Sequence, residues 1–72
     1  MIQKEIVIGY DGIEKALKEV EGEKEGIWIG EVSGRWVHAT VDRTILVNVG
    51  LAKHEFHSFS GAINYITEFL FN

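Results

Sequence analysis

The chain has 72 residues, no cysteine, no proline and a formal net charge of −4 from 11 acidic and 7 basic side chains. That length is one domain, residues 1–72, of a size that buries only about 60% of the surface its unfolded chain exposes. The composition excludes a disulfide scaffold and a thiolate nucleophile, its 46% hydrophobic content excludes disorder, and its acidity argues against charge-driven binding to nucleic acid or an anionic membrane.

From Ile2 to Tyr10 the residues alternate, with Ile2, Ile6, Ile8 and Tyr10 on one parity and Gln3 and Glu5 on the other, which predicts a half-buried strand. Lys4 and Glu5 stand where a signal peptide needs its apolar run, and nowhere is there a run approaching roughly 18 apolar residues, so a cytoplasmic protein with no membrane association is expected. Asp11 is the expected N-cap of a first helix, with Glu14 three residues on as in a capping box. Ile13, Ala16, Leu17 and Val20 form its apolar stripe, and Glu14–Lys18 and Lys15–Glu19 lie opposite at i, i+4 spacing. Glu21 to Gly26 then make an exposed loop.

Ile27–Val32, Arg35–Val41 and Thr44–Val49 read as three strands of an antiparallel meander, turned at Ser33-Gly34 and Asp42-Arg43. Leu51 to Phe59 is a loop or a short extra strand through Lys53–Phe59. Ser60 to Phe71 is a second helix, capped by Ser58 or Ser60, with Ala62, Ile63, Tyr65, Ile66, Phe69 and Leu70 in an arc of roughly 160° and Asn64, Thr67 and Glu68 facing water. The expected fold is therefore α+β: a two-layer sandwich in β-α-β-β-β-α order, with a four-stranded mixed sheet and both helices on one face.

A two-residue Ser33-Gly34 turn sets Gly30 opposite Val37 and Trp28 opposite Ala39. Trp28, Gly30, Val32, Val37, Ala39 and Val41 then share the face expected under the helices, because small residues let helices approach. Ile27, Ile29, Glu31, Trp36, His38 and Thr40 share the other, an apolar patch where a wet sheet face should be polar. These six residues are the expected interface, unless the C-terminal segment folds across them.

Signals for chemistry are sparse. His54-Glu55-Phe56-His57 would place two imidazoles beside a carboxylate on a helical turn, but without the further ligands that zinc needs. Ser58 and Ser60 lie near His57 as helix caps, and Gly9-Tyr10-Asp11-Gly12 has neither the glycine spacing nor the lysine of a phosphate loop. Glu31 and His38 form a conceivable acid–base pair on the open face. From Asp11 to Phe71, the helix-strand-strand-strand-helix order resembles the double-stranded RNA-binding domain in length and topology. That family's lysine cluster has no counterpart in Ser58-Phe59-Ser60-Gly61-Ala62, so the resemblance implies a fold and no RNA contact.

The expected function is a non-catalytic protein–protein interaction module without cofactor or metal. It would be a homodimer, or an accessory or inhibitor protein binding another protein, through an apolar sheet face. The alternative is a nucleic-acid-related role, by weak binding or acidic mimicry; third comes a small enzyme or metal site near His54 and His57.

Overall fold

The computed structural model describes residues 3–72. The elements in chain order are β1 (Gln3–Ile6), α1 (Tyr10–Glu19), β2 (Ile27–Gly30), β3 (Trp36–Val41), β4 (Ile45–Val49), β5 (Ala52–Phe56) and α2 (Phe59–Phe71). The architecture is α+β, with a mixed five-stranded sheet in sequential order β1-β2-β3-β4-β5. β1 runs parallel to β2, and every later neighbour is antiparallel. The fifth strand is the segment that sequence left between loop and strand, and it replaces the expected four-stranded sheet.

Both helices pack on one face, α1 against β2 and β3, α2 against β4 and β5, and the two against each other. The α1 stripe works as its spacing dictates: Ile13, Ala16, Leu17 and Val20 are fully buried. From α2, Ala62, Ile63 and Ile66 are fully buried and Leu70 nearly so, while Asn64 and Glu68 face water. Thr67 is the exception to its expected exposure, since its Oγ1 is buried and has no hydrogen-bond partner. Beneath the helices lie Ile27 and Ile29 of β2, Val37, Ala39 and Val41 of β3, and Ile45 and Val47 of β4. Each fully buried isoleucine or leucine contributes roughly 1.5–3 kcal/mol by leaving water.

The faces of β2 are the reverse of the expectation. The β2–β3 register sets Ile27 against Ala39, Trp28 against His38, Ile29 against Val37 and Gly30 against Trp36. The connection is a three-residue loop, Val32-Ser33-Gly34, closed by Glu31 N–H donating to the Arg35 carbonyl at 3.2 Å and Gly34 N–H to the Glu31 carbonyl at 3.0 Å. Gly34 carries the positive φ of 100° that such a loop needs at its last position. One residue more in the loop shifts the register by one, and that turns every β2 side chain over. Ile27, Ile29 and Glu31 thus lie on the helix side, and Trp28 joins Trp36, His38 and Thr40 on the open side. The Val41–Ile45 pairing settles the fourth strand: Ile45 and Val47 go to the core and Leu46 to the open face.

The parity of β1 is also reversed. Lys4 and Ile6 share the open face with Trp28 and Gly30, while Gln3 and Glu5 pair with Ile27 and Ile29 on the helix side. That side is tolerable for a carboxylate because β1 is at the sheet's rim. Partial burial and the nearby Glu19 raise the Glu5 carboxyl above its ordinary range. Val7, 5% exposed, is the core residue of this segment. It can lie close beneath α1 because Gly12 has no side chain: a Cβ there would stand 3.2 Å from the Val7 Cβ. Ile8 is 92% exposed, and Ile2 lies outside the described residues.

The helix starts follow different rules. α2 is capped by Ser58, whose hydroxyl accepts from Gly61 N–H at 3.2 Å. α1 starts one residue before Asp11, with Gly9 at the N-cap and no side-chain cap bond, so Asp11 is a first-turn acid and not the cap.

Candidate functional site

The open face is built of rows that the registers define. One row crosses all five strands: Lys4, Trp28, His38, Asn48 and Lys53. On one side of it stands Ile6–Gly30–Trp36, on the other Thr40–Leu46–Glu55. No helix covers these side chains, because both helices lie on the opposite face.

Trp36 owes its position to Gly30. Its ring occupies the space over the glycine, so that a Cβ at Gly30 would come to 2.5 Å of the ring carbons. The Lys4 ammonium sits 6.0 Å from the ring centroid, at the outer limit of a cation–π contact. Even so, Trp36 is 36% exposed and Ile6, in the same row, 57%. Beyond the row, Ile8 follows β1 and Val32 follows β2 at the same end of the parallel pair, and both are exposed. The apolar exposure of this face is therefore concentrated at its β1 end.

Trp28 and His38 are half-buried and packed on each other, with ring centroids 5.0 Å apart. His38 Nε2 lies 2.8 Å from the Glu25 carbonyl oxygen and Nδ1 3.4 Å from Asn48 Nδ2. A carbonyl only accepts, so Nε2 donates to it, while the Asn48 side-chain amide stands beside Nδ1. The imidazole is thus oriented between two partners.

Of the six residues expected to share the interface, the structure brings together Trp36, His38 and Thr40. Ile27, Ile29 and Glu31 are on the helix side: the isoleucines are fully buried and Glu31 is 7% exposed. The helices, α2 of the C-terminal segment included, cover the Val37, Ala39 and Val41 side of β3 as expected, but on β2 they cover Ile27 and Ile29 and not Trp28 and Gly30. Glu31 and His38 consequently point to opposite sides of the sheet and cannot act as a pair. Glu31 works in its own loop, accepting from Ser33 Oγ, from Ser33 N–H at 3.0 Å and from Arg35 N–H at 3.2 Å. The Ser33 hydroxyl and amide hold its carboxyl below the ordinary carboxylate value. Lys4, Ile6, Trp28 and Leu46 were missed as members of the face. A usable signal was present: sorting side chains by chemistry groups the aliphatic Ile27, Ile29, Val37, Ala39 and Val41 against the aromatic and polar Trp28, Trp36, His38 and Thr40.

The remaining chemical candidates come apart. His54 and His57 sit on and after a strand rather than on a helical turn. The His54 ring packs 4.7 Å from that of Tyr65, while His57 Nε2 lies 3.8 Å from a Glu55 oxygen. Among the described residues no three of His, Cys, Asp and Glu gather as a metal site would need, and no helix is long and apolar enough to cross a membrane. Ser58 is occupied as the α2 cap. No protein-family model, curated protein or solved structure matches the chain.

Proposed function

We infer that this chain is a non-catalytic protein–protein interaction module, working as a homodimer in the cytoplasm, and that it docks through the β1 end of its open sheet face. The observation that carries the reading is the exposure of Trp36 and Ile6 side by side on a face no helix covers. Tryptophan concentrates at the energetic centres of interfaces, and truncating it there often costs about 2 kcal/mol or more. Trp36→Ala should weaken self-association at least about tenfold, equivalent to about 1.4 kcal/mol, while the chain stays folded. Sedimentation equilibrium beside a thermal melt reads both. A wild-type chain that stays monomeric at high concentration removes the homodimer.

A second reading draws on Lys4 and Lys53, which stand in the same row as the Trp28 and His38 rings. Rings flanked by cations suit stacked bases of a single-stranded nucleic acid. Salt-dependent binding of a labelled oligonucleotide, abolished by Trp36→Ala, would favour it. The acidic balance of the whole chain weighs against it.

A further inference from the structure

The sheet has two free edges, and they differ in kind. The β5 edge, Ala-Lys-His-Glu-Phe, carries Lys53 and Glu55 near its centre, the charges by which natural edges discourage pairing. The β1 edge carries Lys4 and Glu5 at the centre of the strand, and its charge stops there. From Ile6 to Gly9 it presents Ile6 and Ile8, 57% and 92% exposed, with no charge between them. Because Val7 N–H donates to the Gly30 carbonyl, alternation turns the N–H and C=O of Ile6 the other way, toward the free edge. At the end of that strand lies a groove of about 550 Å³, lined by Glu5 to Gly9 on one side and by Tyr10 and Lys15 of α1 on the other.

We propose that a second copy of this chain occupies the β1 edge, antiparallel and centred on Ile6, joining two five-stranded sheets into one. The proposal rests on the interaction reading and supplies its geometry. Charge selects the register. For the faces of the two sheets to continue into each other, the residue numbers of paired positions must sum to an even value. Pairing centred on Lys4 opposes two lysines, and pairing centred on Glu5 opposes two glutamates, both unfavourable. Centring on Ile6 sets Ile6 against its own copy, Lys4 against Ile8 and Glu5 against Val7, with no like charges directly opposed. The outward backbone groups of the two Ile6 residues then satisfy each other. On the open face the two exposed patches become one continuous band, Trp36–Ile6 meeting Ile6–Trp36 across the two-fold axis.

The absence of cysteine makes the register directly testable. Two residues opposed in this way have Cα atoms about 5.5 Å apart, within the disulfide range of about 4.4–6.8 Å. Ile6→Cys should therefore cross-link to a covalent dimer in mild oxidant, and Lys53→Cys on the opposite edge should not. Ile6→Lys should raise the dimer dissociation constant at least about tenfold with an unchanged melt at monomer concentrations, as Ile6 lies outside the core. A dimer that Trp36→Ala dissociates but Ile6→Cys fails to trap would overturn edge pairing and leave the interaction reading standing. A wild-type monomer together with an uncross-linked Ile6→Cys would remove both.

Discussion

Single side chains set the ends of the elements, and two of them can be compared directly. Ser58 makes a cap bond and Asp11 does not, although both residue types suit the position. Ser58→Ala should cost about 0.5–2 kcal/mol. Asp11→Ala loses only its favourable place near the positive end of α1, about 0.3–1 kcal/mol. Thermal melts of the two variants should rank them in that order, with several degrees between wild type and Ser58→Ala. Glu31 gives a test in pH. Its carboxylate accepts from Ser33 and Arg35 and is held below the ordinary value of 4.5. A carboxyl lowered on folding contributes stability above its unfolded value and loses it as pH falls through the folded one. Glu31→Gln should melt lower than wild type by a constant amount above the ordinary carboxylate value, and the gap should close as pH falls through the lowered folded value. A gap that persists at low pH would mean that the carboxylate charge is not what the loop uses.

At the scale of elements, register decides what each strand shows. The helix stripes and strand positions were legible because their periodicities are strong, as with Ile13, Ala16, Leu17 and Val20. The faces of β2 were not, because they turn on one residue of loop length. Glu31 and Val32 read as the end of a strand, yet the Glu31 side chain folds back on Ser33 and Arg35 to close a longer loop, and that contact leaves no mark in the hydrophobic pattern. Half of the candidate interface was lost by that step, and Trp28 was left out of it. β1 was misread for a different cause: a rim strand can leave Glu5 on the helix side where water still reaches, so its alternation carries little weight. The pairing of Gly30 with Trp36 can be tested as a unit. In Gly30→Ala the new methyl must displace the ring, at a cost of about 1–3 kcal/mol. In a Trp36→Ala background that cost should vanish, and the double-mutant cycle measures the difference. Additive losses would show that the ring does not lie on the glycine.

For the molecule as a whole, the faces divide stability from association. Ile29 is fully buried under the helices, and Ile29→Ala should cost about 2–5 kcal/mol, enough to threaten the fold of a domain this small. Trp28, expected from sequence to be the core tryptophan, is half-buried on the open face against His38. Trp28→Ala should therefore destabilise less than Ile29→Ala, and chemical denaturation of the two variants reads the ranking. The β2–β3 connection also reaches the helix layer. Arg35 Nη1 donates to the Phe69 carbonyl at 3.0 Å, so the β2–β3 loop supplies a cation to the last turn of α2, which has none of its own.

Both tryptophans of this chain stand on the same side of the sheet, and neither touches the helix layer. Its tryptophan emission, excited where tyrosine does not absorb, is therefore a reporter of one surface. Loosening of α1 against α2 would pass almost unseen in the emission, while anything that settles on Trp36 would shift or quench it without a label. A titration in a fluorimeter is thus already addressed to the face in question, and the unmodified protein carries its own probe for whatever arrives there.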